Sequence, residues 1–202
     1  MRGNLDKLLI MSIGFQLLFS VFNTAQNLAA QVLTDLGFGN FGFYSLAVLY
    51  LTFSLCCFVA TAIVNRCGER VCMVGGALCY TMYNGCFILA AAPGQYPNND
   101  SPFFSAGFIK FFILISAALC GFGASILWVA QGRYISRIAN NDNKGTYNSI
   151  FWAFFMSTQI IGALLGALIL ENTNPFTFYS IMTSICFLAS WFFLLLKPVK
   201  AE

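Results

Sequence analysis

Six long apolar stretches alternate with short polar segments along this chain of 202 residues. Each stretch approaches or exceeds the roughly 20 apolar residues that an α-helix needs to cross the hydrocarbon core of a bilayer. Lipid offers no hydrogen-bond partners to the backbone, so such segments span as helices. The pattern therefore predicts an all-α polytopic membrane protein with six transmembrane helices, at about residues 8–33, 41–64, 71–92, 104–131, 149–170 and 175–196.

The first stretch follows two basic residues, Arg2 and Lys7, as the core of a secretory signal peptide does. Its apolar run continues past the roughly 7–15 residues of such a core, and five more stretches follow it. We therefore interpret it as the first transmembrane helix. No polar segment is long enough for a soluble domain, so residues 1–202 are expected to form a single six-helix unit.

The basic residues of the polar segments occur only in alternate segments. Those outside the apolar stretches are Arg2, Lys7, Arg66, Arg70, Arg133, Arg137, Lys144, Lys197 and Lys200. The charges of the intervening segments are all acidic, at Asp35, Asp100 and Glu171. Basic segments are retained on the cytoplasmic side during insertion. Both termini are therefore predicted to be cytoplasmic.

Composition supports a membrane location and excludes several function classes. Hydrophobic residues make up 59% of the chain and charged residues 8%, which leaves too little polar surface for a soluble domain of this size. The net charge of +3 arises in the predicted cytoplasmic segments and reflects topology. No basic cluster is dense enough for nucleic acid, so membrane lipid is the expected surrounding. No sorting motif distinguishes the plasma membrane from an endomembrane.

The usual residues of an enzyme or a metal site are missing. The chain has no histidine and no CxxC pair, and its eight cysteines lie in or beside the apolar stretches, apart from Cys67 in a cytoplasmic segment. Without paired carboxylates, a catalytic triad or a phosphate-binding loop, we expect no enzymatic activity, no metal and no cofactor. Asn99 begins a glycosylation acceptor sequence in a non-cytoplasmic segment, although Pro102 directly after that sequence disfavours its use.

A stripe of amide side chains runs along the first predicted helix. Gln16, Asn23 and Asn27 are spaced by seven and four residues, which places them within about 40° of one another on a helix. Amides that face lipid leave donors and acceptors unpaired, so the stripe is expected to face protein or a watery cavity. Two interpretations stay open: the amides hydrogen-bond neighbouring helices, or they line a cavity that contacts a solute or a partner.

The fifth predicted helix carries a second polar face. Asn148, Trp152 and Gln159 share a helical spacing that lets them oppose the first stripe. Gly162 and Gly166 on the same helix form a GxxxG step, and small residues four apart allow two helix backbones to approach closely. This step is therefore expected to pack against another helix.

The segment between the second and third helices resembles the signature G-x-x-x-D-R-x-G-R-R of the major facilitator superfamily. Arg66, Gly68 and Arg70 match this signature, while Asn65 stands at the position of its acidic residue. The resemblance implies that the three matching residues form a cytoplasmic hinge loop. The departure at Asn65 removes the aspartate that supports the gating salt bridges of the superfamily.

Further segments identify a branch of that superfamily. They are residues 22–28, 42–50, 76–80, 127–134, 145 and 150–152. Together they resemble the Unc-ninety-three family of ion-channel-regulatory proteins, over essentially the whole chain. The resemblance implies the N-terminal half of a major-facilitator fold, built from two three-helix repeats. The candidate cavity-lining or partner-binding residues are Gln16, Asn23, Asn27, Trp128, Gln131, Trp152 and Gln159.

The family resemblance implies an accessory function. Characterised relatives act as a regulatory subunit of a potassium-channel complex or escort nucleic-acid-sensing receptors out of the endoplasmic reticulum. Our first hypothesis is therefore a non-enzymatic membrane protein that regulates or escorts a channel or receptor. The alternative is one half of a secondary transporter for a small solute, active as a dimer or with a missing C-terminal half. A six-helix scaffold without a ligand is the third reading.

Overall fold

The computed structural model describes residues 4–97 and 101–197. Six α-helices follow one another in this part of the chain: α1 (Leu5–Leu33), α2 (Phe41–Cys67), α3 (Glu69–Gln95), α4 (Ala106–Ile138), α5 (Lys144–Asn172) and α6 (Pro175–Phe192). All six are long and apolar enough to cross a membrane. The prediction of an all-α protein with six membrane-spanning helices is thereby confirmed. The acceptor residue Asn99 lies outside the described residues, as do Arg2 and Lys200.

The helical backbone continues beyond the apolar stretches between α4 and α5. The predicted polar segment covered residues 132–148, whereas α4 extends to Ile138 and α5 begins at Lys144. Hydropathy marks where the chain leaves lipid, and polar residues after that point still adopt helical dihedrals. The short remaining turn is closed by the backbone N–H of Asn140, which donates to Oδ1 of Asn143 at 2.7 Å.

The helices pack as an arc in which each one contacts its neighbours. α2 packs on α4, α4 on α3, α3 on α6, α6 on α1, and α1 on α5. α1 also contacts α3 across the centre. The two ends of the arc, α2 and α5, present large exposed apolar side chains, such as Phe58 at 88% and Ile160 at 68% exposure. The open side of the arc therefore lies between α2 and α5.

Aromatic side chains on one face of α1 fill the centre of the arc. Phe15, Phe19 and Phe22 follow a helical repeat and are buried. The ring of Phe15 meets that of Phe151 at 5.2 Å between centroids, and Phe22 meets Tyr80 at 4.5 Å, both edge to face. Such aromatic pairs contribute about 0.5–1.5 kcal/mol each beyond simple burial. The aromatic face of α1 therefore packs against α3, α4 and α5.

Glycines bring the central helices into direct backbone contact. A Cβ atom added to Gly76 of α3 would lie 2.6 Å from the carbonyl oxygen of Gly123 in α4. One added to Gly121 would lie 2.3 Å from the carbonyl oxygen of Leu49 in α2. In lipid, helix association depends on such close van der Waals packing. Lipid tails are as apolar as the helix surfaces, so the hydrophobic effect does not drive the helices together. These contacts hold α2, α3 and α4 together.

Candidate functional site: an amide-lined crevice and a cytoplasmic charge cluster

Two glycines of α5 allow that helix to lie directly against α1. A Cβ atom on Gly162 would stand 2.4 Å from the carbonyl oxygen of Ser20, and one on Gly166 would stand 2.3 Å from Cγ2 of Thr24. Both distances are shorter than real Cβ contacts. At Gly162 the neighbour is backbone, so a larger residue requires the helices to move, whereas at Gly166 the neighbour is the Thr24 side chain. The GxxxG step of the sequence therefore lies at the α1–α5 contact.

A crevice of about 320 Å³ runs along the α1–α5 contact. Its polar end is formed by Asn23 and Asn27 of α1 with Thr158 and Gln159 of α5. Asn23 donates from Nδ2 to Oγ1 of Thr158 at 3.4 Å. The side chains of Asn27 and Gln159 are exposed, and aliphatic residues such as Leu170 line the rest of the walls. Three of the seven candidate residues thus meet in one place.

Gln16 belongs to a different part of the same contact. Its Nε2 donates to Oγ of Ser157 at 2.6 Å, and the pair is partly buried between α1 and α5. Gln16 is not among the residues that line the crevice. The two interpretations of the amide stripe therefore apply to different residues. Gln16 ties two helices together, while Asn27 and Gln159 leave hydrogen-bonding groups accessible.

A second cavity, of about 220 Å³, lies on the other side of Asn23 and is lined mainly by aromatic rings. Trp128 of α4 lines it, together with Tyr50 and Gln26, whose Nε2 donates to the Tyr50 hydroxyl at 3.2 Å. Asn23 is common to both cavities. Gln26 is not among the residues predicted from the sequence, although it follows Asn23 by three residues and so faces nearly the same direction.

The two tryptophans lie together and Gln131 lies apart from them. The rings of Trp128 and Trp152 stack with centroids 6.2 Å apart and planes inclined by 19°. Trp152 is 45% exposed and belongs to the lining of neither cavity. Gln131 is largely buried and lines neither cavity either. Of these three residues, Trp128 therefore lines the aromatic cavity.

A cluster of charges joins the ends of α2, α3 and α4. Glu69, the first residue of α3, is largely buried, and its Oε1 accepts from Nε of Arg133 at 2.9 Å and from Nη1 of Arg137 at 2.8 Å. Arg133 also donates to the side-chain oxygen of Asn65. Asn65 lacks a carboxylate, as the sequence shows, but Glu69 supplies one nearby that pairs with two arginines of α4.

The signal for Glu69 was present in the sequence but was overlooked. It is the only acidic residue between Asn65 and Arg70, and it stands where the superfamily signature has its first paired arginine. The acidic position is therefore shifted by four residues, from the last turn of α2 to the first turn of α3. A carboxylate at a helix N-terminus is also favoured by the helix dipole.

The three predicted hinge residues take different positions around this cluster. Gly68 links α2 directly to α3 with a φ of 83°, a left-handed conformation that favours glycine. Arg70 donates from Nη2 to the backbone oxygen of Leu194, beyond the end of α6. Arg66 is exposed. The hinge loop is therefore a single tight turn fastened to α4 and to the end of α6.

The ends of α1, α4 and α6 meet on this same side of the bundle. Asn4, before α1, donates to the backbone oxygen of Ile138 at 2.9 Å. Lys197 pairs with Asp6 at 3.1 Å, and the hydroxyl of Tyr134 donates to the backbone oxygen of Lys197 at 3.0 Å. Together with the charge cluster, these bonds connect the same end of α1, α2, α3, α4 and α6.

The family described as ion channel regulatory protein UNC-93 matches residues 39–96 and 101–202, which is well over half of the chain. The chain belongs to the UNC-93 family. The matched residues contain the charge cluster and α2 to α6, and relatives of the family extend the similarity over α1. The UNC-93 family is a branch of the major facilitator superfamily, with which the name MFSD11 of one relative agrees.

Three UNC-93 relatives illustrate the range of similarity. UNC93-like protein 3 of Arabidopsis thaliana is 32% identical over 174 residues, or 81% of this chain and 32% of the relative. UNC93-like protein MFSD11 of Xenopus tropicalis is 26% identical over 204 residues, or 96% of this chain and 42% of the relative. Protein unc-93 homolog A of Mus musculus is 26% identical over 180 residues, or 84% of this chain and 35% of the relative. The matched region is thus 32% to 42% of their length, and no solved structure matches the chain.

Proposed function

We propose that the chain is one six-helix half of a non-enzymatic membrane protein that binds and regulates, or escorts, an ion channel or receptor. The observation that carries the proposal is the pair of accessible amides, Asn27 and Gln159, beside the exposed face of α5. Amides at membrane depth cannot be satisfied by lipid, so they require protein or water against them. A second protein body over the open side of the arc places protein against these amides and encloses water beside them.

The lengths of the relatives support a second body. The chain covers only 32% to 42% of these longer proteins, which leaves room for another set of helices in each. The second body is then the other half of the same protein or a second copy of this chain. Either arrangement buries the apolar faces of α2 and α5 and encloses the cavity between them.

The regulatory assignment is supported by the family. The family is described as ion channel regulatory protein UNC-93, and it matches residues 39–96 and 101–202 of the chain. Membrane embedding brings the remaining apolar surface into contact with lipid. We infer that the channel or receptor is bound within the membrane.

The experiment is a current recording with and without the chain. We expect co-expression with members of a potassium-channel panel to change whole-cell current density for at least one of them. Replacing Asn27 and Gln159 by leucine should weaken the association of the chain with the second body over the opening by roughly eightfold. The reason is that two interhelical contacts of about 0.6 kcal/mol each are lost. Asn141→Leu is the control, since Asn141 is an exposed amide in the turn between α4 and α5, away from the opening.

A specific observation also favours the transporter alternative. Asn23 lines both cavities, and a solute that hydrogen-bonds to amides fits this position near the centre of α1. Purified chain in liposomes that accumulates a labelled uncharged solute with no partner present would contradict the accessory function and support transport. A strictly monomeric state in detergent would contradict the transporter, because one half does not enclose a central site.

A further inference from the structure

A groove of about 380 Å³ lies between the start of α3 and the end of α6, on the side of the bundle that carries the charge cluster. Its lining consists of Arg70, Val71, Val74 and Gly75 of α3 and of Leu194, in the short turn that follows α6. None of these five residues also lines the crevice or the aromatic cavity. The groove is therefore separate from the opening between α2 and α5.

Most of the groove is apolar and open to lipid. Val71 and Leu194 are 62% and 40% exposed, and both belong to segments that are apolar enough to cross the membrane. A Cβ atom added to Gly75 would have no other atom within 4 Å, so the absent side chain leaves open space there. Arg70 and Gly75 are five residues apart, or about 7.5 Å along the helix axis. The apolar part therefore runs from the end of α3 into the hydrocarbon, as the first part of an acyl chain does.

A positive charge stands at the outer end of the groove. Arg70 is exposed, and its Nη2 donates to the backbone oxygen of Leu194. A guanidinium has five N–H donors in a rigid planar arrangement, so this one bond leaves most of them for a further acceptor. The bond also holds the guanidinium beside the apolar lining instead of letting it extend into water.

The neighbouring carboxylates are paired with other basic residues. Glu69 binds two arginines of α4, and Asp6 binds Lys197. No described carboxylate lies within ion-pair distance of Arg70. Basic residues also outnumber acidic ones at this end of the described chain, which attracts an anion. The charge of Arg70 is therefore available to a ligand from outside the chain.

An apolar groove with a free guanidinium at its outer end matches a phospholipid. Arginine binds phosphate oxygens through two parallel N–H donors, and the apolar walls accept an acyl chain. A zwitterionic lipid carries a cation next to its phosphate, whereas phosphatidylglycerol carries the phosphate as its only charge. Attraction to arginine therefore favours the lipid with a net negative charge. The basic segments predict that this end is cytoplasmic, and the cytoplasmic leaflet contains anionic lipids.

We propose that the groove between α3 and the end of α6 binds an anionic phospholipid, with its phosphate on Arg70 and one acyl chain along Val71, Val74 and Gly75. The bound lipid joins the start of α3 to the end of α6, which Arg70 already connects through Leu194. This site goes beyond the regulatory function proposed above and does not depend on it, because its recognition chemistry follows from the groove alone.

The test is native mass spectrometry of the purified chain in detergent, with equal amounts of phosphatidylglycerol and phosphatidylcholine that carry the same acyl chains. We expect bound phosphatidylglycerol to exceed bound phosphatidylcholine by roughly fivefold, the factor that one arginine contributes near an anionic membrane surface. Arg70→Gln should remove this preference. Arg66→Gln is the matched control and should retain it, because Arg66 is an exposed arginine four residues earlier that does not line the groove.

The apolar part of the groove is tested by a separate variant. Gly75→Leu places a side chain in the open space, so both lipids should bind less. Gly107→Leu is its control, because a Cβ atom there also has no atom within 4 Å and Gly107 lies in the first turn of α4, outside the groove. Glycerol 3-phosphate, which has the phosphate without an acyl chain, should not displace phosphatidylglycerol from the unaltered chain.

Equal binding of the two lipids by the unaltered chain would overturn the proposal. So would equal losses of preference in Arg66→Gln and Arg70→Gln, because they would indicate general attraction to a basic surface. Displacement of the lipid by glycerol 3-phosphate would show that the site binds a free phosphate instead. If Arg70→Gln does not fold, Gly75→Leu still decides, since lipid binding equal to that of Gly107→Leu would exclude this groove.

Discussion

Gly162 and Gly166 determine how closely α5 approaches α1, and through that distance they shape the crevice. Gly162 contacts the Ser20 backbone and Gly166 contacts Thr24, so the two glycines hold Gln159 opposite Asn23 and Asn27. Their spacing in the sequence indicates close packing, but it does not name the helix against which they pack. Only the structure identifies α1.

Gly162→Ala should destabilise the bundle. The new methyl group would start 2.4 Å from the carbonyl oxygen of Ser20, and overpacking of this kind costs about 1–3 kcal/mol. We expect a lower melting temperature in thermal unfolding followed by size-exclusion chromatography in detergent. Gly132→Ala is the control, because nothing lies within 4 Å of a Cβ atom there and alanine favours the helix. A melting temperature for Gly162→Ala equal to that of Gly132→Ala would refute tight packing at this contact.

Helix ends, rather than helix faces, carry the charges that connect α2, α3 and α4. Glu69 at the start of α3 binds Arg133 and Arg137 near the end of α4, and Arg133 reaches Asn65 near the end of α2. The loop between α2 and α3 is the single residue Gly68, which lies between the last residue of α2 and the first of α3. The signature segment of the sequence thus works as a connection among three helices.

Glu69→Gln should weaken this connection. The substitution removes the charge that two arginines share, and hydrogen bonds to charged groups contribute roughly 1.5–3 kcal/mol each. The expected result is a lower melting temperature than that of Asp142→Asn, which removes an exposed acid in the α4–α5 turn. A second removal, Arg133→Gln in the Glu69→Gln background, should cost less than it does alone. Additive effects of the two substitutions would argue against direct coupling.

At the scale of the whole molecule, the arc is open on one side. The opening lies between α2 and α5 and presents exposed amides and large apolar side chains. Under the proposed function, a second body covers this opening.

The orientation of the bundle is testable with a membrane-impermeant maleimide. Cys67 is exposed beside the charge cluster, and the basic segments predict that this end is cytoplasmic. Glu171 lies near the end of α5, on the side of the bundle away from Cys67. A cysteine introduced there as Glu171→Cys should react in the opposite compartment. In stepwise permeabilised cells, Cys67 of the unaltered chain and Glu171→Cys in a Cys67→Ser background should therefore label at different steps. Labelling of both positions at the same step would contradict the predicted topology.

Local patterns in the sequence determined the six helices and the family. Hydropathy identifies the six spans, and helical spacing groups Asn23 with Asn27, because both depend on residues within a few turns of one another. Tertiary structure alone decided that Asn23 meets Thr158, 135 residues away, and that Glu69 pairs with Arg133 and Arg137 of α4. It also decided which sides of the arc stay open. These outcomes depend on contacts between distant helices, which no local spacing encodes.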